Sequence, residues 1–176
     1  SPIKICLIGA GRAGEFHVKS LSTNKQYDLQ YIIDLDAIKA EELSKKAKCK
    51  FHTDLDWVLT NVRFDAVIIA TTTPTHYKLT MRCLQAKKHI FCEKPLGKTI
   101  EEINDCFKLA NSSNLKLLIA YQKRFDKNYS KLGEILEVQS KPIKNIRMVT
   151  KDHPLPPLEY LRTSNGIVED MISHDI

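Results

Sequence analysis

The sequence contains no apolar run long enough to span a bilayer, and its first residues, "SPIKICLIGA", lack the layout of a secretory signal. No membrane partner is expected, and the cytoplasm is the expected compartment. There is no C-x-x-C: Cys6, Cys49, Cys83, Cys92 and Cys106 are odd in number and far apart. That pattern argues against a disulfide framework, suits reduced thiols, and offers no ligand spacing for a zinc site, so no metal is expected. No nucleic-acid motif accompanies the formal net charge of +6, and the lysines are scattered as "KKAKCK" at 45–50, "KK" at 87–88 and single residues. They read as solvated helix faces, not as a stripe for nucleic acid, although the charge favours an anionic ligand. Internal repeats and low-complexity tracts are absent as well. What is there, 43% hydrophobic and 27% charged residues, is the composition of an ordinary folded protein. A length of 176 residues suffices for one well-buried domain with part of a second.

Short apolar runs alternate with longer helical patterns. Strands are predicted at 3–8, 29–34, 50–53, 65–71, 89–93 and 115–121, and helices at 12–23, 38–47, 54–61, 76–86 and 99–111. The strand "DAVIIAT" (65–71) is almost wholly apolar, as suits the middle of a parallel sheet covered on both faces. Thr53 with Asp56, and Thr99 with Glu102, stand in capping-box spacing at two helix starts. The alternation predicts an α/β fold with a doubly wound parallel sheet and right-handed crossovers. After about Gln122 the rhythm changes to a helix at 127–138, a half-exposed strand at 143–150 and the proline-rich loop "DHPLPPLEY". A domain boundary is expected near 121–124.

The first strand runs into "GAGRAG", with Gly9, Gly11 and Gly14. A lone G-x-G-x-x-G is weak evidence, but this one follows a strand, opens a helix, and precedes Asp34 at the end of the second strand. In that setting Gly9 allows the tight turn, Gly11 lets the backbone approach a pyrophosphate, and Gly14 lets the helix pack on the strand. Arg12 and Ala13 complete the helix N-terminus, whose N–H groups and dipole favour phosphate. Asp34 suits both hydroxyls of an adenosine ribose. With Leu35 and Asp36 following, and no arginine, it favours NAD over NADP. "ATTTPTHYKL" (70–79) leaves the fourth strand at the edge where such sheets bind ligands. Thr71, Thr72 and Thr73 offer polar groups there, Pro74 stiffens the turn, Thr75 is a candidate helix cap, and His76 reads as a supporting residue rather than a catalyst. Glu93, Lys94 and Pro95 follow another strand end on the same edge. Asp170 and His174 are four apart and so share a helix face. In isolation such a pair reads as a surface contact.

"GAGRAG", "EKP" (93–95), "QKRFD" (122–126) and "DMISHD" (170–175) stand in the order seen in the Gfo/Idh/MocA family of NAD(P)-dependent oxidoreductases, which this chain resembles throughout. The stretch "TKDHPLPPLEYLRTSNGIVEDMISHD" is most similar to that of the family's myo-inositol 2-dehydrogenases. It departs from them at Asp152-His153-Pro154 and Asn165-Gly166, positions that bear on the substrate and not on the family. The resemblance implies a Rossmann domain (1–121) followed by the beginning of an open-faced α/β domain for substrate and oligomer contacts (122–176). It implies NAD as cofactor and oxidation of a secondary alcohol of a cyclitol or other polyol or sugar. Lys94, Asp170 and His174 would be catalytic, and the Lys94–Pro95 peptide bond cis. Another sugar or diol dehydrogenase, or a non-catalytic NAD-binding regulator, are the alternatives. It further implies a homo-oligomer for full-length members. The chain would stop inside the helix that bears the Asp170/His174 pair, so that these 176 residues alone should turn over little substrate.

Overall fold

In the first strand, β1 (Ile3–Ile8), Ile5 and Leu7 enter one core layer while Cys6 and Ile8 enter another, and all four are buried. The period-two alternation of a strand is thus apolar on both faces, which requires helices above and below the sheet. The computed structural model describes residues 1–138 together with 142, 144, 145, 147 and 149. The chain divides into two compact units, Ser1–Ala120 and Tyr121–Ile176.

In the first unit the elements after β1 are α1 (Arg12–Ser22), β2 (Tyr27–Ile33), α2 (Ala37–Ala47), β3 (Lys50–His52), α3 (Leu55–Asn61), β4 (Ala66–Ile69), α4 (Thr73–Gln85), β5 (His89–Cys92), α5 (Ile100–Ser112) and β6 (Leu117–Ile119). All strand pairs are parallel and the sheet order is β3-β2-β1-β4-β5-β6, that of a Rossmann sheet. The order reverses between β1 and β4, and ligands of such sheets bind beyond the strand ends at that switch point. Val18 of α1 and Leu43 of α2 cover Ile5, Leu7, Ile32 and Ile68 on one face. Val58 of α3, Cys83 and Leu84 of α4, and Cys106 and Ala110 of α5 cover Cys6, Ile8, Val67 and Ile69 on the other. As expected for β4, Val67, Ile68 and Ile69 are all buried. Each such Val, Leu or Ile withdrawn from water contributes about 1.5–3 kcal/mol.

Several local expectations are corrected. The cap of α3 is Asp54, not Thr53: its carboxylate accepts the Asp56 and Trp57 N–H groups at 2.8 and 3.2 Å. An Asp directly before the helix reaches these donors, and a Thr one residue earlier does not. Helix α4 starts at Thr73 rather than at 76, because Pro74 falls in its first turn, where a missing N–H costs nothing. Thr75 therefore lies inside the helix and is not its cap. At α5 the Thr99 hydroxyl does cap, accepting the Glu102 N–H at 3.2 Å, but the Glu102 carboxylate reaches back to the Lys98 N–H (2.6 Å), one residue before the cap. Strand β6 is shorter than 115–121, pairing only Leu117, Leu118 and Ile119 with β5.

In the second unit "QKRF" forms a 3-10 helix (Gln122–Phe125). It leads into α6 (Lys127–Glu137), capped by the Asp126 carboxylate on the Asn128 N–H at 2.8 Å. The strand expected at 143–150 falls largely outside the described residues, and 144, 145, 147 and 149 carry no regular structure. Asp170 and His174 lie outside the described residues. Among the described residues no helix is long and apolar enough to cross a membrane.

Candidate functional site

Four strand ends build the site. At the end of β1, Gly9 takes φ +105°, a conformation side chains rarely adopt, and a Cβ there would stand 2.4 Å from the Ala70 carbonyl oxygen. A Cβ on Gly14 would stand 2.1 Å from the Gly9 carbonyl oxygen, so the first turn of α1 rests directly on the strand end. Gly11 differs: apart from its own chain neighbours, no heavy atom lies within 4 Å of where its Cβ would be. That open space lies over the first turn of α1, whose N–H groups have no carbonyl partners within the helix. Arg12 is exposed with its guanidinium 5.8 Å from the centre of the Phe16 ring, and Ala13 is half-buried.

Asp34 directly follows β2 and is half-buried. One carboxylate oxygen accepts the Ala10 N–H at 2.7 Å and the other the Asp36 N–H at 2.9 Å. The residue thus ties the glycine turn to the turn after β2. Each oxygen keeps a further lone pair, so two ribose hydroxyls can still be accepted.

Beyond β4, the Thr75 hydroxyl donates to the Thr72 carbonyl (2.8 Å) and therefore accepts from the Thr71 hydroxyl (2.7 Å). Thr72 and Pro74 are exposed, and Thr71 and Thr73 half-buried. His76 is only 1% exposed. Its Nδ1 lies 2.7 Å from the Pro95 carbonyl oxygen and its Nε2 3.0 Å from that of Thr71. Both acceptors are carbonyls, so the single N–H of a neutral ring donates to one of them, and Pro95 at the shorter distance is the better placed.

Beyond β5, the Glu93 N–H donates to Ile69 at 2.9 Å, and Lys94 follows, half-buried, before a cis bond to Pro95. Burial pushes the neighbouring Cys92 thiol up to about 12, which leaves it inert as a nucleophile near neutrality. The Glu93 carboxylate meets His17 of α1, Nε2 to Oε1 2.8 Å. Sequence reading missed His17. The available signal was its spacing: three residues after Gly14 on a helix, it shares the face that Gly14 presses to the sheet.

A dinucleotide fits this edge. An open cradle at Gly11 over a helix N-terminus suits a pyrophosphate, and the Asp34 carboxylate suits a diol. Residues 3–121 match the model of the Gfo/Idh/MocA proteins, described as an oxidoreductase family with an NAD-binding Rossmann fold. The chain belongs to the Gfo/Idh/MocA family. NAD is the cofactor of this domain. The chain is 33% identical to the myo-inositol 2-dehydrogenase of Thermotoga maritima over 98% of its own length and 52% of that protein's. Identity and coverage are the same for the inositol 2-dehydrogenase of Rhizobium meliloti. Among solved structures, the scyllo-inositol dehydrogenase of Lactobacillus casei, which holds NAD(H) and scyllo-inositol, superposes with a TM-score of 0.73 at 27% identity, over 78% of this chain and 41% of that one. The chain spans about half the length of the relatives it matches.

Proposed function

We propose that the complete protein oxidises a secondary alcohol of a cyclitol, an inositol first, with NAD as hydride acceptor. The observation that carries this reading is Lys94 at the end of β5. It lies on the edge where β1, β4 and β5, adjacent in the sheet, also deliver the Gly9–Gly14 turn and Thr71. Similarity to inositol dehydrogenases supports the substrate class. Residues 1–121 would serve as the NAD domain and 122–176 as the beginning of the substrate domain.

Loss of hydride from a carbinol carbon needs a base for the hydroxyl proton. His174 is suited to that near neutral pH, and Asp170 one helical turn before it can orient the ring and stabilise its charged form. The Lys94 amine can hydrogen-bond the substrate oxygen and favour the developing alkoxide. NAD, when bound, supplies the hydride acceptor. Glu93, Thr71, Thr72, Thr73, Pro74 and His76 would shape the cofactor-binding edge of the sheet. We place its action in the cytoplasm, where five unpaired cysteines would remain as thiols.

The test is a steady-state assay of the complete protein with NAD and a panel of cyclitols and sugars. NAD-linked oxidation of an inositol is the expected result, and His174→Ala should lower kcat by roughly 10²-fold or more while NAD still binds. Near-normal kcat in that folded variant removes His174 as the base. Preference for a non-cyclitol sugar moves the substrate to another branch of the family. NAD binding without turnover of any alcohol makes the protein a regulator.

A further inference from the structure

We propose that His17 and His76 are positioning residues that bracket Lys94, His17 through the Glu93 carboxylate and His76 through the Pro95 carbonyl, and that together they fix where the Lys94 amine stands. The inference rests on the reading of Lys94 given above and extends it to two side chains that need not touch substrate.

Lysine carries its charge on a flexible four-carbon stem. The precision of its amine depends, beside the contacts of the side chain itself, on how firmly the backbone beneath it is held, and a misplacement of about 1 Å can cost about 10²-fold in rate. On the upstream side Glu93 is held at three points. Its N–H donates to Ile69 at 2.9 Å, its carbonyl accepts the Cys92 thiol at 3.3 Å, and its carboxylate meets His17 at 2.8 Å. The His17 ring is itself set edge-on against Phe91, ring centres 5.5 Å apart. On the downstream side Pro95 has no N–H, so its carbonyl is its one backbone handle, and His76 in the Nδ1–H tautomer donates to it at 2.7 Å. The next residue, Leu96, is 1% exposed and anchors the chain in the core. The two histidines come from α1 and α4, the helices that follow the two cofactor loops, so the bracket registers Lys94 against the same elements that hold NAD. As a stability device the His17–Glu93 contact has little to recommend it. The His17 and Glu93 side chains are 19% and 24% exposed, and ion pairs in contact with solvent contribute about 0–1 kcal/mol.

The experiment uses the complete protein. His17→Leu and His76→Leu remove the tethers, His17→Gln and His76→Asn restore a side-chain donor, and each is also made in a Lys94→Ala background. The expected result is a loss in kcat of about tenfold to a hundredfold in the Leu variants, with NAD affinity of His17→Leu little changed. Most of the loss should be recovered in Gln and Asn, and no further loss should follow once Lys94 is absent. Losses that add to that of Lys94→Ala, or that reside wholly in NAD affinity, overturn the bracket. If Lys94→Ala keeps full activity, or the unmutated protein oxidises no alcohol, the functional reading of Lys94 fails instead. The bracket is then decided by the rate at which acetic anhydride modifies Lys94, followed by mass spectrometry. Several-fold faster modification in the Leu variants than in Gln and Asn supports it, and equal rates overturn it. His17 is partly exposed, so its variants decide the matter if those of the buried His76 do not fold.

Discussion

The Asp34 carboxylate accepts the Ala10 and Asp36 N–H groups before any ribose arrives. A charge-assisted hydrogen bond of this kind is worth about 1.5–3 kcal/mol, less where water can replace it. Removing the side chain therefore disturbs the glycine turn and the ribose contact together. The unmutated chain should bind NAD more tightly than NADP, since a carboxylate repels a 2′-phosphate. Asp34→Ala should weaken NAD, narrow the gap to NADP, and lower stability, while Asp34→Asn, which keeps one acceptor, should lose less of the fold's stability than of the cofactor preference. Calorimetric titration with both dinucleotides, beside urea unfolding, checks this. NADP binding as tight as NAD in the unmutated chain would mean that Asp34 serves the turn alone.

The β1–α1 turn separates two kinds of glycine that one motif writes alike. Gly14 is required by contact, because a methyl group there meets the Gly9 carbonyl at 2.1 Å. Gly11 faces open space, so its smallness serves something that approaches from outside. Gly14→Ala should cost about 3 kcal/mol or more, since neither backbone can yield without shifting helix from strand. Gly11→Ala should leave the melting temperature within a few degrees and still weaken NAD binding by about tenfold or more, by keeping the pyrophosphate from the backbone. Thermal unfolding with and without NAD reads both. A Gly11→Ala chain with unimpaired affinity would place the phosphates elsewhere.

Across the whole molecule the thiols link the core to alkaline pH. Burial raises Cys6, Cys83 and Cys92 to about 12, and Cys49 and Cys106 to about 11, from an ordinary value of 9.0. Below pH 9 both folded and unfolded chains hold these protons and the thiols leave stability unchanged. Between about pH 9 and 12 the unfolded chain has released protons that the folded chain retains, so stability falls as pH rises. Each thiol contributes up to about 1.4 kcal/mol per pH unit to that decline. Urea unfolding at pH 8 and pH 10 should show the loss, and Cys83→Ala should make it shallower. An equal slope in the variant would assign the decline to other groups. At neutral pH the four buried thiols should react with a disulfide reagent only after unfolding, with the half-buried Cys49 reacting first.

The sequence by itself determined the elements of the first unit, the glycine turn and the strand-end positions of Asp34, Thr71 and Lys94, because those follow from local periodicity and from backbone needs that few residue types can meet. Strand "DAVIIAT" announced its burial on both faces through composition alone. Element ends were less legible, since Pro74 could stiffen a turn or open a helix, and the choice depends on whether the following residues find partners in α4. Only the tertiary structure decided which histidine meets which loop. His17 and Glu93 are 76 residues apart, and His76 and Pro95 are 19 apart. No local pattern encodes a hydrogen bond across a sheet, because it exists only once the strand order has placed the end of β5 beside that of β4 and within reach of α1.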